Sequence, residues 1–157
     1  MKKIDLGSGS IKDGESSPEG YLRQDIDPTI EKLDIICDIR ELDKHVKPES
    51  CDEIRASHVM EHFPTKEIPG LFKMIYGLIK PGGIFNIIVP NFKYHSALAL
   101  NNNDEMAVNY AFGGQLDEYD FHKTGFTPAI LVNRLIEAGF TIDGLLQSTS
   151  ITCIAKK

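Results

Sequence analysis

The sequence predicts a three-layer α/β sandwich: a seven-stranded, mostly parallel sheet between helices, with one antiparallel strand near the C-terminus. Three observations carry this. Short apolar, β-rich runs alternate with helical periodicity through the first half of the chain, the pattern of successive strand-helix-strand units. The run Ile84-Phe85-Asn86-Ile87-Ile88-Val89 is nearly continuous in apolar and β-branched residues, as a parallel strand covered on both faces requires. Two further β-rich runs, 140–146 and 150–155, are separated only by Gln147-Ser148-Thr149, close enough to pair antiparallel.

The elements follow in order. Strands are expected at Lys3–Leu6, Tyr21–Asp25, Asp34–Cys37, Glu53–Ser57 and Ile84–Val89, with the last in the middle of the sheet. Between Thr65 and Lys80, Ile68, Leu71, Phe72, Ile75, Leu78 and Ile79 recur at helical spacing, and Pro81-Gly82-Gly83 stops the helix. A second helix spans Pro128 to Ala138, with Thr127 as N-cap, proline at its first position and Gly139 just past its end. The segment Asn91 to Gly125 shows little periodicity and holds Asn101-Asn102-Asn103 and Gly113-Gly114. It is read as a long functional loop.

At 157 residues with 41% hydrophobic and 25% charged side chains, the chain forms one domain, 1–157, around one core. No apolar run is long enough for a membrane span, and the opening MKKIDLGSG lacks a secretory h-region, so a cytoplasmic protein is expected. Cys37, Cys51 and Cys153 are scattered and odd in number, which argues against a disulfide framework or zinc ribbon. The net charge of -6, without a Lys/Arg cluster, excludes the electrostatic footprint of a double-stranded DNA groove.

Chemistry begins at the first strand, where Asp5-Leu6 runs into the turn Gly7-Ser8-Gly9. Glycine admits positive φ and lets backbone approach a ligand closely, so the turn suits a nucleoside cofactor. Asp25 lies 16 positions after Gly9, near the roughly 20-residue spacing at which a carboxylate ending the second strand accepts from ribose hydroxyls. Asp27 is the alternative, and either acid could instead simply end a strand before Pro28. Asp38 could cap the helical turn that follows it.

These segments occur in the order of a known family. Ile4-Asp5-Leu6-Gly7-Ser8-Gly9, Gly20 to Asp27, Cys37-Asp38-Ile39, Cys51 to His62, Leu78 to Gly83 and the helix-Gly139-Phe140 junction together resemble the class I S-adenosylmethionine (SAM) dependent methyltransferases, in a small subgroup of predicted methyltransferases of the type 11 kind. The resemblance covers nearly the whole chain and implies a Rossmann-like fold, SAM as cofactor and methyl transfer by in-line displacement. It implies cofactor contacts from Asp5, Gly7, Ser8, Gly9, Asp25, Ile26, Asp38, Ile39, Ser57 and His58, with Asp38 accepting from the adenine amino group and the Ile39 N–H facing the ring. The chain departs from the pattern at Ile11, where the family has a further glycine, and in the Ser10 to Gly20 interval, which reads as a loop rather than a helix. It also begins at the first strand, without the helices that often cover the substrate.

His58-Val59-Met60-Glu61-His62 spells H-x-x-E-H, an inverzincin pattern. It follows a strand end and spacing offers no third ligand, so no metal is expected. His58, His62 and His122 are instead the candidate catalytic residues, as general bases for a hydroxyl or amine acceptor. His122, Tyr94, His95 and Tyr119 are candidates for touching substrate. The expected acceptor is a small molecule or glycan-type hydroxyl, with a partner subunit or second copy covering the open substrate side. The alternative is a SAM-binding regulatory or scaffold module without activity. A nicotinamide oxidoreductase would share the glycine turn but needs a G-x-G-x-x-G that Gly7-Ser8-Gly9-Ser10-Ile11-Lys12 does not supply.

Overall fold

The computed structural model describes residues 1–9, 17–102, 104–116 and 118–157. The expectations about Ile11, about most of the Ser10 to Gly20 interval and about Asn103 lie outside the described residues.

Seven strands form one sheet: β1 (Lys3–Leu6), β2 (Tyr21–Asp25), β3 (Ile35–Ile36), β4 (Cys51–Ser57), β5 (Ile79–Pro90), β6 (Thr141–Gln147) and β7 (Ser150–Lys156), ordered β3-β2-β1-β4-β5-β7-β6. β7 alone runs antiparallel to its neighbours, inserted between β5 and β6. β4 therefore holds the central place expected for β5, which lies beside it. Ile4, Asp5 and Leu6 are consecutive and all buried, so both faces of β1 are covered. The chain runs outward from β1 to β3, then returns to place β4 on the other side of β1. In such sheets the reversal opens a crevice at the carboxyl ends of the two central strands.

The helices are α1 (Leu42–His45), α2 (Ile68–Leu78), α3 (Phe92–Asn102), α4 (Glu105–Phe112) and α5 (Pro128–Ala138). α2 buries its stripe Ile68, Leu71, Phe72, Ile75 and Leu78. Phe72 meets Phe85 of β5 edge-on at 5.8 Å, and Phe85 meets Phe140 beyond α5 at 5.7 Å, an aromatic chain joining sheet and helices. α5 starts where Thr127 Oγ1 accepts the Ile130 N–H and ends at Gly139, left-handed at φ 112°.

Two stretches differ from expectation. Lys80 to Gly83 belong to β5, not to the end of a helix: the register passes from Cys51 opposite Ile79 to Glu53 opposite Ile84, and the surplus residues bulge, with Gly82 at φ 78°. The segment after β5 folds as α3 and α4 in place of a long loop. Its helices escape periodicity because only His95 and Ala107 are buried on them, and α4 is started by Asp104, whose Oδ1 accepts the Ala107 N–H.

Candidate functional site

The turn after β1 is bound to the end of β2 by three hydrogen bonds. The Gly7 N–H donates to Gln24 Oε1 at 3.2 Å, the Ser8 N–H to the Gln24 carbonyl at 2.9 Å, and the Gly9 N–H to Asp25 Oδ2 at 3.0 Å. Gly7 and Gly9 both have positive φ, 56° and 60°. At Gly7 a Cβ would stand 2.5 Å from Val59 Cγ2, so both backbone angle and space demand glycine.

The Asp25 carboxylate also accepts from the Ile26 and Asp27 N–H groups through Oδ1, at 2.8 and 3.1 Å. Three of its roughly four acceptor positions are therefore filled by backbone, and among the described residues one on Oδ2 stays open. Asp27, the alternative acid, lies exposed with Oδ1 accepting twice from Thr29, which holds its carboxyl below the usual range. Asp25, Ile26, Asp38 and Ile39 share a cavity of about 270 Å³ with Gly7, Gln24 and His58. Asp38 borders it while also capping the 3-10 turn Ile39–Glu41, its Oδ1 accepting the Arg40 N–H at 2.9 Å and its Oδ2 pairing with the Arg40 guanidinium. Tyr119 lines this cavity rather than the larger one described below.

Beside it a second cavity, also about 270 Å³, is lined by Asp5, Gly7, Ser8, Arg55, Ser57 and His58. Among the described residues Asp5 makes no hydrogen bond to the glycine turn. Its Oδ1 accepts from Arg55 Nη1 at 2.7 Å and its Oδ2 from the Ser17 hydroxyl at 2.6 Å. Ser8 Oγ is buried there with no partner among the described residues.

The third cavity is larger, about 830 Å³, and runs between the end of β4 and helices α3 and α4, lined by His58, Glu61, His62, Tyr94, His95 and His122 among others. His58 borders all three cavities and takes a left-handed backbone angle, φ 54°. It reaches that angle directly after β4, with its N–H donating to the Ile88 carbonyl at 2.9 Å. Its Nδ1 lies 3.4 Å from Glu61 Oε1. Glu61 is 1% exposed, and neither of its carboxylate oxygens has a hydrogen bond among the described residues. Its backbone carbonyl accepts from the Lys123 and Thr124 N–H groups, which brings His122 to within a T-shaped contact of His62, ring centres 5.0 Å apart. Burial holds the His122 imidazole below its ordinary pKa, leaving it neutral at pH 7. His95 is buried and stacked on Tyr110 at 4.7 Å, its Nε2 against the Thr149 carbonyl, so it supports the wall.

All ten expected cofactor residues thus lie at or around the carboxyl ends of β1, β2, β3 and β4, and the three candidate histidines meet at one cavity. Gln24 and Arg55 escaped the sequence reading. Each acts across strands, Gln24 bridging Gly7 and the Cys37 carbonyl, Arg55 facing Asp5, and neither belongs to a local motif.

No family model matches the chain, and no curated protein matches it in sequence. Solved structures do match in shape. A SAM-dependent methyltransferase from Mesorhizobium loti superposes with a TM-score of 0.70 at 15% identity, covering 99% of this chain and 90% of that one. One from Archaeoglobus fulgidus gives 0.67 at 17%, covering 99% and 86%. A Burkholderia thailandensis 1,6-didemethyltoxoflavin-N1-methyltransferase, with 1,6-didemethyltoxoflavin and S-adenosylhomocysteine (SAH) bound, gives 0.66 at 18%, covering 99% and 70%. The fold is that of the SAM-dependent methyltransferases. Within this methyltransferase fold the expected Rossmann-like sheet with one antiparallel strand is observed in full. Among the described residues no helix is long and apolar enough to cross a membrane.

Proposed function

We propose that this chain transfers the methyl group of SAM to a hydroxyl of a small-molecule or sugar-like acceptor. The observation that carries the reading is the set of three cavities sharing His58: one lined by Asp25 and Asp38, one by Asp5 and Arg55, and a larger one by the three candidate histidines and helices α3 and α4.

The residues present fit the cofactor. The open acceptor position on Asp25 receives a ribose hydroxyl, and Asp38 and the Ile39 N–H meet the adenine edge. Arg55 offers a guanidinium for the amino-acid carboxylate, Asp5 a carboxylate for its ammonium, and the unpartnered Ser8 hydroxyl a further contact. When bound, SAM supplies a methyl group on a sulfonium, open to displacement by an acceptor lone pair in line with the breaking bond. The chain's work is then alignment and exclusion of water, with His58 taking the hydroxyl proton. Glu61, 3.4 Å from its Nδ1, orients that ring.

The small-molecule acceptor is supported by the 830 Å³ cavity, the net negative charge and the 1,6-didemethyltoxoflavin-N1-methyltransferase of the same fold. α3 and α4 leave Leu100, Met106 and Phe112 exposed, and Met106 lines this cavity, which supports a second copy or partner subunit as a cover. The three free cysteines fit a reducing cytoplasm.

Calorimetry with SAM and SAH tests the cofactor, and a labelled-methyl assay against a panel of hydroxyl-bearing small molecules and sugars tests the transfer. Both ligands are expected to bind and label to appear in at least one acceptor. Failure of both ligands at millimolar concentration overturns the reading. Binding without label in any acceptor favours the inactive module.

A further inference from the structure

We infer that Glu61, His62 and His122 form a binding site for a divalent transition-metal ion in the wall of the large cavity. Ligand atoms of the three side chains already lie within 4.8 Å of one another. With bonds of about 2.1 Å, tetrahedral ligands stand about 3.4 Å apart, so small side-chain rotations close the site.

The hydrogen bonds set the two rings for this task. His62 Nδ1 faces the Phe121 carbonyl at 3.2 Å and His122 Nδ1 faces the Tyr110 carbonyl at 2.9 Å. A carbonyl oxygen only accepts, so each Nδ1 carries the proton and each Nε2 keeps its lone pair. Backbone carbonyls holding the outer ring nitrogen are the usual support of metal-bound histidines. The independent observation is Glu61. A carboxylate that is 1% exposed, with neither oxygen hydrogen-bonded among the described residues and His58 Nδ1 standing 3.4 Å from Oε1, is unfavourable unless a cation compensates its charge. A cation between it and the two imidazoles does so. The third ligand that spacing around H-x-x-E-H did not supply arrives from His122, carried there by the Lys123 and Thr124 bonds to the Glu61 carbonyl.

Two imidazoles and one carboxylate suit zinc, cobalt or manganese rather than calcium or magnesium, which prefer all-oxygen sites. Three protein ligands leave an open position toward the cavity, the arrangement of catalytic rather than structural zinc. Its part in chemistry rests on the proposed methyl transfer. An acceptor hydroxyl oxygen in the open position has a lowered pKa and gives its proton to His58. Its lone pair then forms the bond to the methyl carbon, while the carbon–sulfur pair leaves with sulfur as a neutral thioether.

The test strips the full chain with EDTA, titrates it with ZnCl2 and, separately, records cobalt(II) visible absorption and SAH binding. One zinc per chain and a cobalt band are expected. His122→Gln and Glu61→Gln are each expected to weaken zinc binding at least about 100-fold, with circular dichroism and SAH binding unchanged in His122→Gln. Absence of zinc uptake by the parent chain, or equal affinity in His122→Gln, overturns the site. His122 is only half-buried, so that variant reads out even if Glu61→Gln fails to fold. SAH binding without zinc uptake sinks the metal site alone, whereas zinc uptake without SAM or SAH binding sustains the site and sinks the methyl-transfer reading.

Discussion

Asp5 on β1 and Arg55 on β4 stand opposite each other in the parallel register and join at 2.7 Å, with the Asp5 side chain 2% exposed and the Arg55 side chain 22%. Removing Arg55 leaves a buried carboxylate with the Ser17 hydroxyl as its remaining partner among the described residues. Arg55→Met is therefore expected to destabilise the fold by about 3 kcal/mol. Adding Asp5→Asn is expected to recover most of that loss. Urea unfolding of both single variants and the double variant measures the coupling, and additive effects would show that the pair does not interact.

Asp25 holds three backbone N–H groups and keeps one acceptor position open. Asp25→Asn puts an amide where a carboxylate receives those donors, so SAM and SAH affinity is expected to fall roughly 10- to 100-fold, the loss of charge-assisted bonds worth about 1.5–3 kcal/mol. Calorimetry reads this. Asp27→Asn serves as the comparison, and a larger loss there would move the ribose contact to Asp27.

Gly7→Ala meets Val59 at 2.5 Å and adopts φ 56° with a side chain. The left-handed angle alone costs about 1–2 kcal/mol, and the collision adds to it. Gly7→Ala combined with Val59→Ala is expected to remove the collision and keep the angular penalty, so stability should return only in part. Full return in thermal unfolding would mean the angle carries no strain.

Cys153 is fully buried, and that burial pushes its thiol from an ordinary 9.0 up to about 11. Above pH 9 the unfolded chain releases this proton while the folded chain keeps it. The folded state then holds more protons, so stability falls with rising pH between about 9 and 11. Cys153→Ala is expected to flatten that part of the curve. A thiol reagent at pH 8 should modify only Cys37 in the folded chain, since Cys51 and Cys153 are buried.

How much of this was legible in the sequence depended on whether a signal was local. The strand ends, the Thr127 cap and the Gly139 stop were legible because caps and turns are set by neighbouring residues. Asp25 and Asp38 were legible as acids following strands, but not that Asp25 is mostly filled by backbone donors, since that follows from how the Gly9 turn docks. α3 and α4 were hidden because exposed helices need no apolar stripe. The meeting of His62 with His122 spans 60 positions and depends on two hydrogen bonds to one carbonyl, which no spacing rule encodes.

His58 is the wall shared by the three cavities. Occupants of neighbouring cavities then act on one imidazole, and their binding free energies are not independent. Whatever factor a bound nucleoside ligand imposes on acceptor affinity, the acceptor imposes equally on the nucleoside ligand. With the proposed cofactor and acceptor as the occupants, that coupling runs through the one side chain their cavities share.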